Sequence, residues 1–195
     1  CKAENGINRT KDNMCSRYFT EDKRSGMRTE IHPCDEAAVF ASGSDGRTEA
    51  SMMYWGFRAL KGNADSLVFN ARSETVSDKV MFRESFLHRR CVVPAAGFYE
   101  WNRAGEKAVF EPENKETLYF AGVYRMEKGV PRFVILTTQA NESMVKIHDR
   151  MPLIIKEEQI EEWLGGMEGC KALLGQVPEK LKKSMEYEQQ AFEFN

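Results

Sequence analysis

The sequence predicts an α+β fold: a single domain over 1–195 whose mostly antiparallel sheet curls into a barrel-like core with helices at its periphery. Three observations predict it. β-like runs fill the middle of the chain, helical periodicity gathers toward its end, and strict βαβ alternation is absent. The length of 195 residues, 42% of them hydrophobic, suits one well-buried core.

Taken in order, residues 1–30 are polar; Asn5-Gly6 and the mixed charges of Glu21-Asp22-Lys23-Arg24 predict loops and a short helix. Strands are predicted over 37–41, 51–57, 66–71, 91–93, 97–101, 118–125 and 132–138, where β-branched and aromatic residues cluster. The last two flank Glu127-Lys128-Gly129-Val130-Pro131, a spacing that suits a hairpin with a longer loop. A helix is predicted over 75–89, capped by Thr75 with Asp78 three residues on, because Val76, Val80 and Leu87 recur at helical spacing. Further helices are predicted at 141–147, 156–164 and 178–187. Gly97 marks a close backbone approach or a bulge.

Charge does not announce a nucleic-acid binder: 28 Lys and Arg face 30 Asp and Glu, a net of −2. Any DNA surface must come from local arrangement. The five cysteines, Cys1, Cys15, Cys34, Cys91 and Cys170, are odd in number and form no C-x-x-C pair, which argues against a disulfide framework and a zinc site. A reduced, intracellular setting is expected, cytoplasmic or nucleoid-associated, with no membrane partner, since no apolar stretch approaches the roughly 20 residues of a membrane span.

The numbering begins at cysteine. If Cys1 is the mature end, it carries an α-amine beside a thiol. Such a pair condenses with an aldehyde to an imine, and the sulfur then closes a thiazolidine ring. An α-amine titrates near about 7.8 and a lysine near about 10.4, so only the former is substantially neutral, and nucleophilic, at pH 7. A trimmed chain, a cleaved lipoprotein signal and an N-terminal-nucleophile hydrolase are the competing readings of a first cysteine.

Four separate motifs follow in order. They are Met53-Tyr54-Trp55-Gly56-Phe57; Asn70-Ala71-Arg72-Ser73-Glu74-Thr75 with Met81-Phe82-Arg83; Arg89-Arg90-Cys91-Val92-Val93-Pro94-Ala95-Ala96-Gly97-Phe98-Tyr99-Glu100-Trp101; and Ile135–Asn141 leading to Ile147-His148-Asp149-Arg150-Met151-Pro152. Together with Phe120-Ala121-Gly122-Val123-Tyr124 they make the chain, over about 50–155, resemble the SRAP family, abasic-site-processing proteins first described as SOS-response-associated peptidases. Cys1 matches that family's reactive residue, although Cys1-Lys2-Ala3 stands where the family has Cys-Gly-Arg.

Each candidate residue has a functional and a structural reading. Asn70 ends a β-like run; its amide suits positioning of an amine or a sugar, or a strand-end turn. Glu100 lies in an aromatic setting and shares its face with Phe98, so burial would favour the protonated acid and general acid–base work; the alternative is a solvent-facing Glu. His148, one of three histidines, suits proton transfer, or is a loop residue in a salt-bridge cluster. Arg72 and Arg150 are phosphate clamps, or ion-pair partners of a nearby carboxylate. Arg83, Arg89 and Arg90 extend a basic surface or belong to a solvated helix end, and Trp55 stacks on a base or packs in the core.

The resemblance implies that Glu100 protonates the ring oxygen of the abasic sugar and cleaves whatever residue precedes Cys1, and that His148 assists ring closure and slow reversal. The resulting expectation is a monomer that crosslinks abasic sites in single-stranded DNA, at 3′ ends or junctions among them, without metal or cofactor. Autopeptidase and lyase-like activities accompany it. The rivals are a cysteine hydrolase using Cys1 and a non-covalent binder of DNA ends.

Overall fold

The computed structural model describes residues 17–60 and 66–185; Cys1, Cys15 and the Asn5-Gly6 pair lie outside them. The elements are β1 (Tyr18–Glu21), β2 (Arg28–Ile31), β3 (Glu36–Ser42), β4 (Thr48–Trp55), β5 (Phe57–Arg58), β6 (Leu67–Val68), β7 (Asn70–Arg72), a 3-10 turn (Ser73–Thr75) and α1 (Arg83–His88). There follow β8 (Arg90–Ala95), β9 (Gly97–Trp101), β10 (Lys107–Pro112), β11 (Leu118–Glu127), β12 (Val130–Gln139), β13 (Arg150–Pro152) and β14 (Ile154–Ile155). A second 3-10 turn (Glu157–Gln159), α2 (Ile160–Leu164), α3 (Met167–Leu173) and β15 (Leu181–Met185) complete the described chain.

Strands β12, β4, β3, β8 and β11 pair in a ring that closes where β11 meets β12. All these pairings are antiparallel except β12 with β4, which is parallel through Arg132↔Tyr54 and Phe133↔Trp55. Closure leaves the ring with no unpaired edge along its seam. A second, antiparallel sheet of order β15-β10-β9-β1-β2 packs against the barrel.

Alternation along the strands explains why both barrel faces are buried. Cys91, Val93, Phe133 and Ile135 point into a core that includes Trp55 and Phe120 and runs on to Tyr18, Phe98 and Phe110 of the second sheet. Val92, Val134 and Leu136 point outward beneath Phe86 of α1, Trp163 of α2 and Leu173 of α3. Residues 133–136 are therefore an unbroken apolar run, since neither face meets water.

Several expectations are corrected. The predicted helix over 75–89 shrinks to α1 at its end, because the chain turns at 75–82; Val76 and Phe82 are buried while Val80 is 85% exposed, off the expected stripe. The segment 141–147 forms hydrogen-bonded turns rather than a helix, with Met144 and Ile147 inward. The predicted helix at 178–187 is instead, over its described residues, irregular at 178–180 and then β15, because the outer edge of β10 offers a partner for every residue from Leu181 to Met185. The charged stretch at 21–24 is the turn of a β1–β2 hairpin, held by Asp22 accepting from the N–H groups of Arg24 and Ser25. The β11–β12 loop is tighter than expected: Lys128 and Gly129, at φ 52° and 82°, make the two-residue turn that suits strand twist.

Gly97 sits where β8 hands over to β9. A Cβ there would lie 2.6 Å from the Phe110 carbonyl oxygen and 2.5 Å from the Phe19 ring. Gly97→Ala should therefore lower unfolding free energy by roughly 1–3 kcal/mol in urea melts, the usual cost of overpacking. A loss under about 0.5 kcal/mol, the scatter of neutral surface changes, would show that the sheets part there without strain.

Candidate active site

Strand β12 positions two arms of the site. On one flank β7 runs parallel to it, with Asn70 opposite Ile135 and Arg72 opposite Thr137. On the other, β13 runs antiparallel, with Arg150 opposite Gln139. Asn70 thus shares the face of Ile135, which belongs to the barrel core, and His148 follows Ile147 of that same core. Glu100 comes from the second sheet. It lies opposite Ala108, another member of the same core, and is only 4% exposed. Three segments distant in sequence thus carry Asn70, Glu100 and His148 to the border of one apolar cluster. Glu100 Oε1 accepts the Trp101 N–H at 3.1 Å.

The ring of His148 is held. Its Nδ1 accepts the Arg150 backbone N–H at 3.0 Å. Asp149 Oδ1 also lies 3.0 Å from Nδ1, yet one nitrogen cannot accept from Arg150 and donate to Asp149 at once. The N–H is fixed by β13, whereas the Asp149 side chain is 87% exposed and well solvated. In the neutral ring the lone pair therefore faces Arg150 and Nε2 carries the proton.

The Arg150 guanidinium, read from sequence as a phosphate clamp, is occupied in this structure. It grips Glu74 through both nitrogens, at 2.6 and 2.8 Å, and donates to the Thr137 carbonyl at 2.6 Å. The ion-pair reading of this residue holds, because a forked donor fits a carboxylate. Sequence reasoning did not single out Glu74; a pairing across 76 positions leaves no local pattern to find. The hydrogen bonds from Arg150 hold the Glu74 carboxyl below the usual carboxylate range.

Trp55 is also corrected. It is fully buried, donates Nε1–H to the Phe69 carbonyl at 2.9 Å and lies parallel to Phe133, so it has no face open to a base. Arg90 is likewise internal. It donates to the carbonyls of Phe86 and Leu87 at the end of α1 and to those of Trp163, Leu164 and Gly165 at the end of α2. One guanidinium thereby serves the orphan acceptors of two helix ends. Arg72 and Arg83 are exposed and Arg89 is half-buried. Cys91 is fully buried, which pushes its thiol up and leaves it inert.

Among the described residues no group of three His, Cys, Asp or Glu side chains could hold a metal ion, and no helix is long and apolar enough to cross a membrane. A surface pocket of about 360 Å³, lined by Thr20, Arg28, Ala96, Glu111 and Lys182 among others, contains none of Asn70, Glu100 or His148.

The sequence profile of the SOS response associated peptidase (SRAP) family matches residues 5–190. The chain belongs to the SRAP family. Among SRAP-type relatives, the abasic site processing protein YoqW of Bacillus subtilis is 40% identical over 106 residues, 50% of this chain and 47% of that protein. The abasic site processing protein YedK of Escherichia coli is 30% identical over 119 residues, 57% of this chain and 53% of that protein. The chain thus spans about half the length of these curated relatives. A phage-related protein from Bordetella bronchiseptica superposes with a TM-score of 0.73 at 20% identity, over 88% of this chain and 93% of that one. A protein from Bacteroides thetaiotaomicron gives 0.68 at 24% identity, over 80% and 76%. At these identities the likeness concerns the fold.

Two outcomes follow from the corrections. Trp55→Phe should cost roughly 1–3 kcal/mol of stability, from the hydrogen bond lost at the Phe69 carbonyl, which keeps only the Ile135 N–H, and from the lost volume. Urea melts measure that cost, and a change under about 0.5 kcal/mol would show that the indole hydrogen bond contributes nothing. The depressed Glu74 carboxyl stabilises the fold above its unfolded value and loses that contribution as pH falls through the folded one. Wild-type stability should therefore drop more steeply than that of Glu74→Gln below about pH 4.5. With the Glu74 side chain 44% exposed, the difference should stay under about 1 kcal/mol. Coincident acid limbs would show that the Arg150 contact contributes nothing.

Proposed function

We propose that this protein captures abasic sites in single-stranded DNA as a covalent adduct on Cys1. One observation carries the reading: a buried carboxylate, Glu100, borders the same core as Asn70 and an oriented His148. Relatives that bear the name of abasic site processing proteins support it over about half their length. Cys1 itself lies outside the described residues.

The chemistry needs three services around a terminal amine and thiol. An abasic sugar is mostly a closed ring, so Glu100, as an acid, delivers a proton to the ring oxygen while the C1–O ring bond breaks and the C1 hydroxyl gives up its proton to water, leaving the aldehyde. The neutral Cys1 amine adds to that aldehyde and water leaves, giving an imine. The Cys1 sulfur then attacks the imine carbon while its proton passes to the nitrogen, closing the thiazolidine. Asn70 can donate and accept, which suits holding the amine or the sugar hydroxyls. The His148 Nε2 edge suits moving the proton during closure. The same acid, acting on a peptide bond ahead of Cys1, would free the amine in a precursor. Arg72 and Arg83, both exposed, are the cations assigned to the phosphate backbone.

The test uses a single-stranded oligonucleotide with one abasic site, resolved on a denaturing gel. A heat-stable shifted band should form and vanish with Cys1→Ala. Glu100→Gln should slow it by about 10² or more, the usual share of a positioned proton donor. An equal yield of adduct from Cys1→Ala overturns the reading. Adduct yield should be indifferent to chelators, and pre-equilibrium binding should weaken steeply with salt.

A further inference from the structure

The two arms of the site meet through one ion pair outside the residues assigned above. Glu74 lies in the 3-10 turn directly after β7, four positions past Asn70. Arg150 opens β13, two positions past His148. Their bidentate contact, at 2.6 and 2.8 Å, ties the Asn70 arm to the His148 arm across the end of β12. Arg150 is braced there by the Thr137 carbonyl at 2.6 Å and Thr137 Oγ1 at 3.3 Å, and Thr137 Oγ1 in turn donates to the Ala71 carbonyl of β7 at 3.4 Å. The backbone N–H of this same Arg150 is what His148 Nδ1 accepts.

We propose that Glu74 is a positioning residue: by clamping Arg150 it holds the Arg150 N–H on His148 Nδ1, and so keeps Nε2–H aimed into the site at a set distance from Asn70.

The geometry favours this over a purely structural pin. A tie serving stability alone could join any two strands, whereas this one joins the two segments that carry site side chains and ends on the imidazole itself. Only 15% of the Arg150 side chain is exposed, so with Glu74 removed the guanidinium would swing away from Thr137 to reach solvent, drawing the start of β13 with it. His148 Nδ1 would then lose its fixed donor, and the Asp149 carboxylate 3.0 Å away would compete for a proton on that nitrogen. The ring would populate both tautomers. This inference rests on the proposed role of His148 for its catalytic consequence, but not for its structural one.

The test is Glu74→Gln in the full chain, which keeps the side chain's size while removing its charge. Imidazole ¹⁵N spectra at about pH 8, where an ordinary histidine is neutral, distinguish His148 from His32 and His88 by single substitution. Wild type should show one Nε2–H tautomer at His148, and Glu74→Gln a mixture. The maximal rate of adduct formation on abasic single-stranded DNA should fall roughly tenfold, part of the ~10²–10⁴ that a positioned proton-transfer group contributes. The DNA concentration giving half that rate should not move. Arg150→Lys, which cannot fork onto a carboxylate, should reproduce both effects and add little on top of Glu74→Gln. An unchanged His148 tautomer in both variants overturns the proposal, as does a change confined to DNA affinity. If wild type forms no adduct at all, the capture reading fails while the tautomer spectra still decide the role of Glu74.

Discussion

Strand β12 is where the constraints of this molecule converge. One edge of it takes β11 and then β13; the other takes β4 and then β7. The barrel closes because β4 can pair with it in parallel, and the site exists because β7 and β13 flank its last residues. A strand with partners on both edges and apolar packing on both faces cannot slip by one residue. A slip would exchange Ile135 for Leu136 in the barrel core and break every ladder at once. That rigidity sets the register of β7 and β13, the strands that carry Asn70 and follow His148, which a site built on loops alone would not achieve.

The buried polar groups divide by what they face. Arg90 is enclosed but fully employed, its donors spent on carbonyls at the ends of α1 and α2. Trp163 does similar work, donating Nε1–H to the Cys91 carbonyl at 2.9 Å. These side chains stitch the outer helices to the barrel and answer to the rule that buried donors find acceptors. The terminal nitrogens of Arg150 likewise turn onto Glu74 and Thr137, although its buried Nε finds no acceptor. Such groups look from sequence like DNA-binding cations, since an arginine motif is silent about which way its guanidinium turns. Burial bears on Arg90: a cation serving internal acceptors cannot also meet a phosphate in the same conformation.

Much of the architecture was legible in the residues. The strands at 37–41, 91–93, 97–101, 118–125 and 132–138 all appear, because runs of Val, Ile, Phe and Tyr bury well on a pleated surface. Glu100 sharing its face with Phe98 followed from alternation alone, and both are buried. What failed was local patterning without tertiary support. Residues 178–187 look helical, yet 181–185 pair with β10 because an open strand edge outweighs a weak propensity. Val76 and Val80 suggest a continuous stripe, yet the chain turns between them to bring Phe82 and Phe86 onto the barrel.

The sequence by itself determined the fold class, the place of seven strand-forming runs and the membership of the family, because these follow from composition, periodicity and the residues of four ordered motifs. It also determined that the reactive candidates are an amide, a carboxylate and an imidazole. Only the tertiary structure decided which carboxylate or carbonyl a given cation meets, since the pairing of Arg150 with Glu74 spans 76 positions and that of Arg90 with Gly165 spans 75. Side-chain identity fixes what a group can bond. Which partner it meets is set by closure of the barrel, which brings distant segments together at a distance no local pattern records.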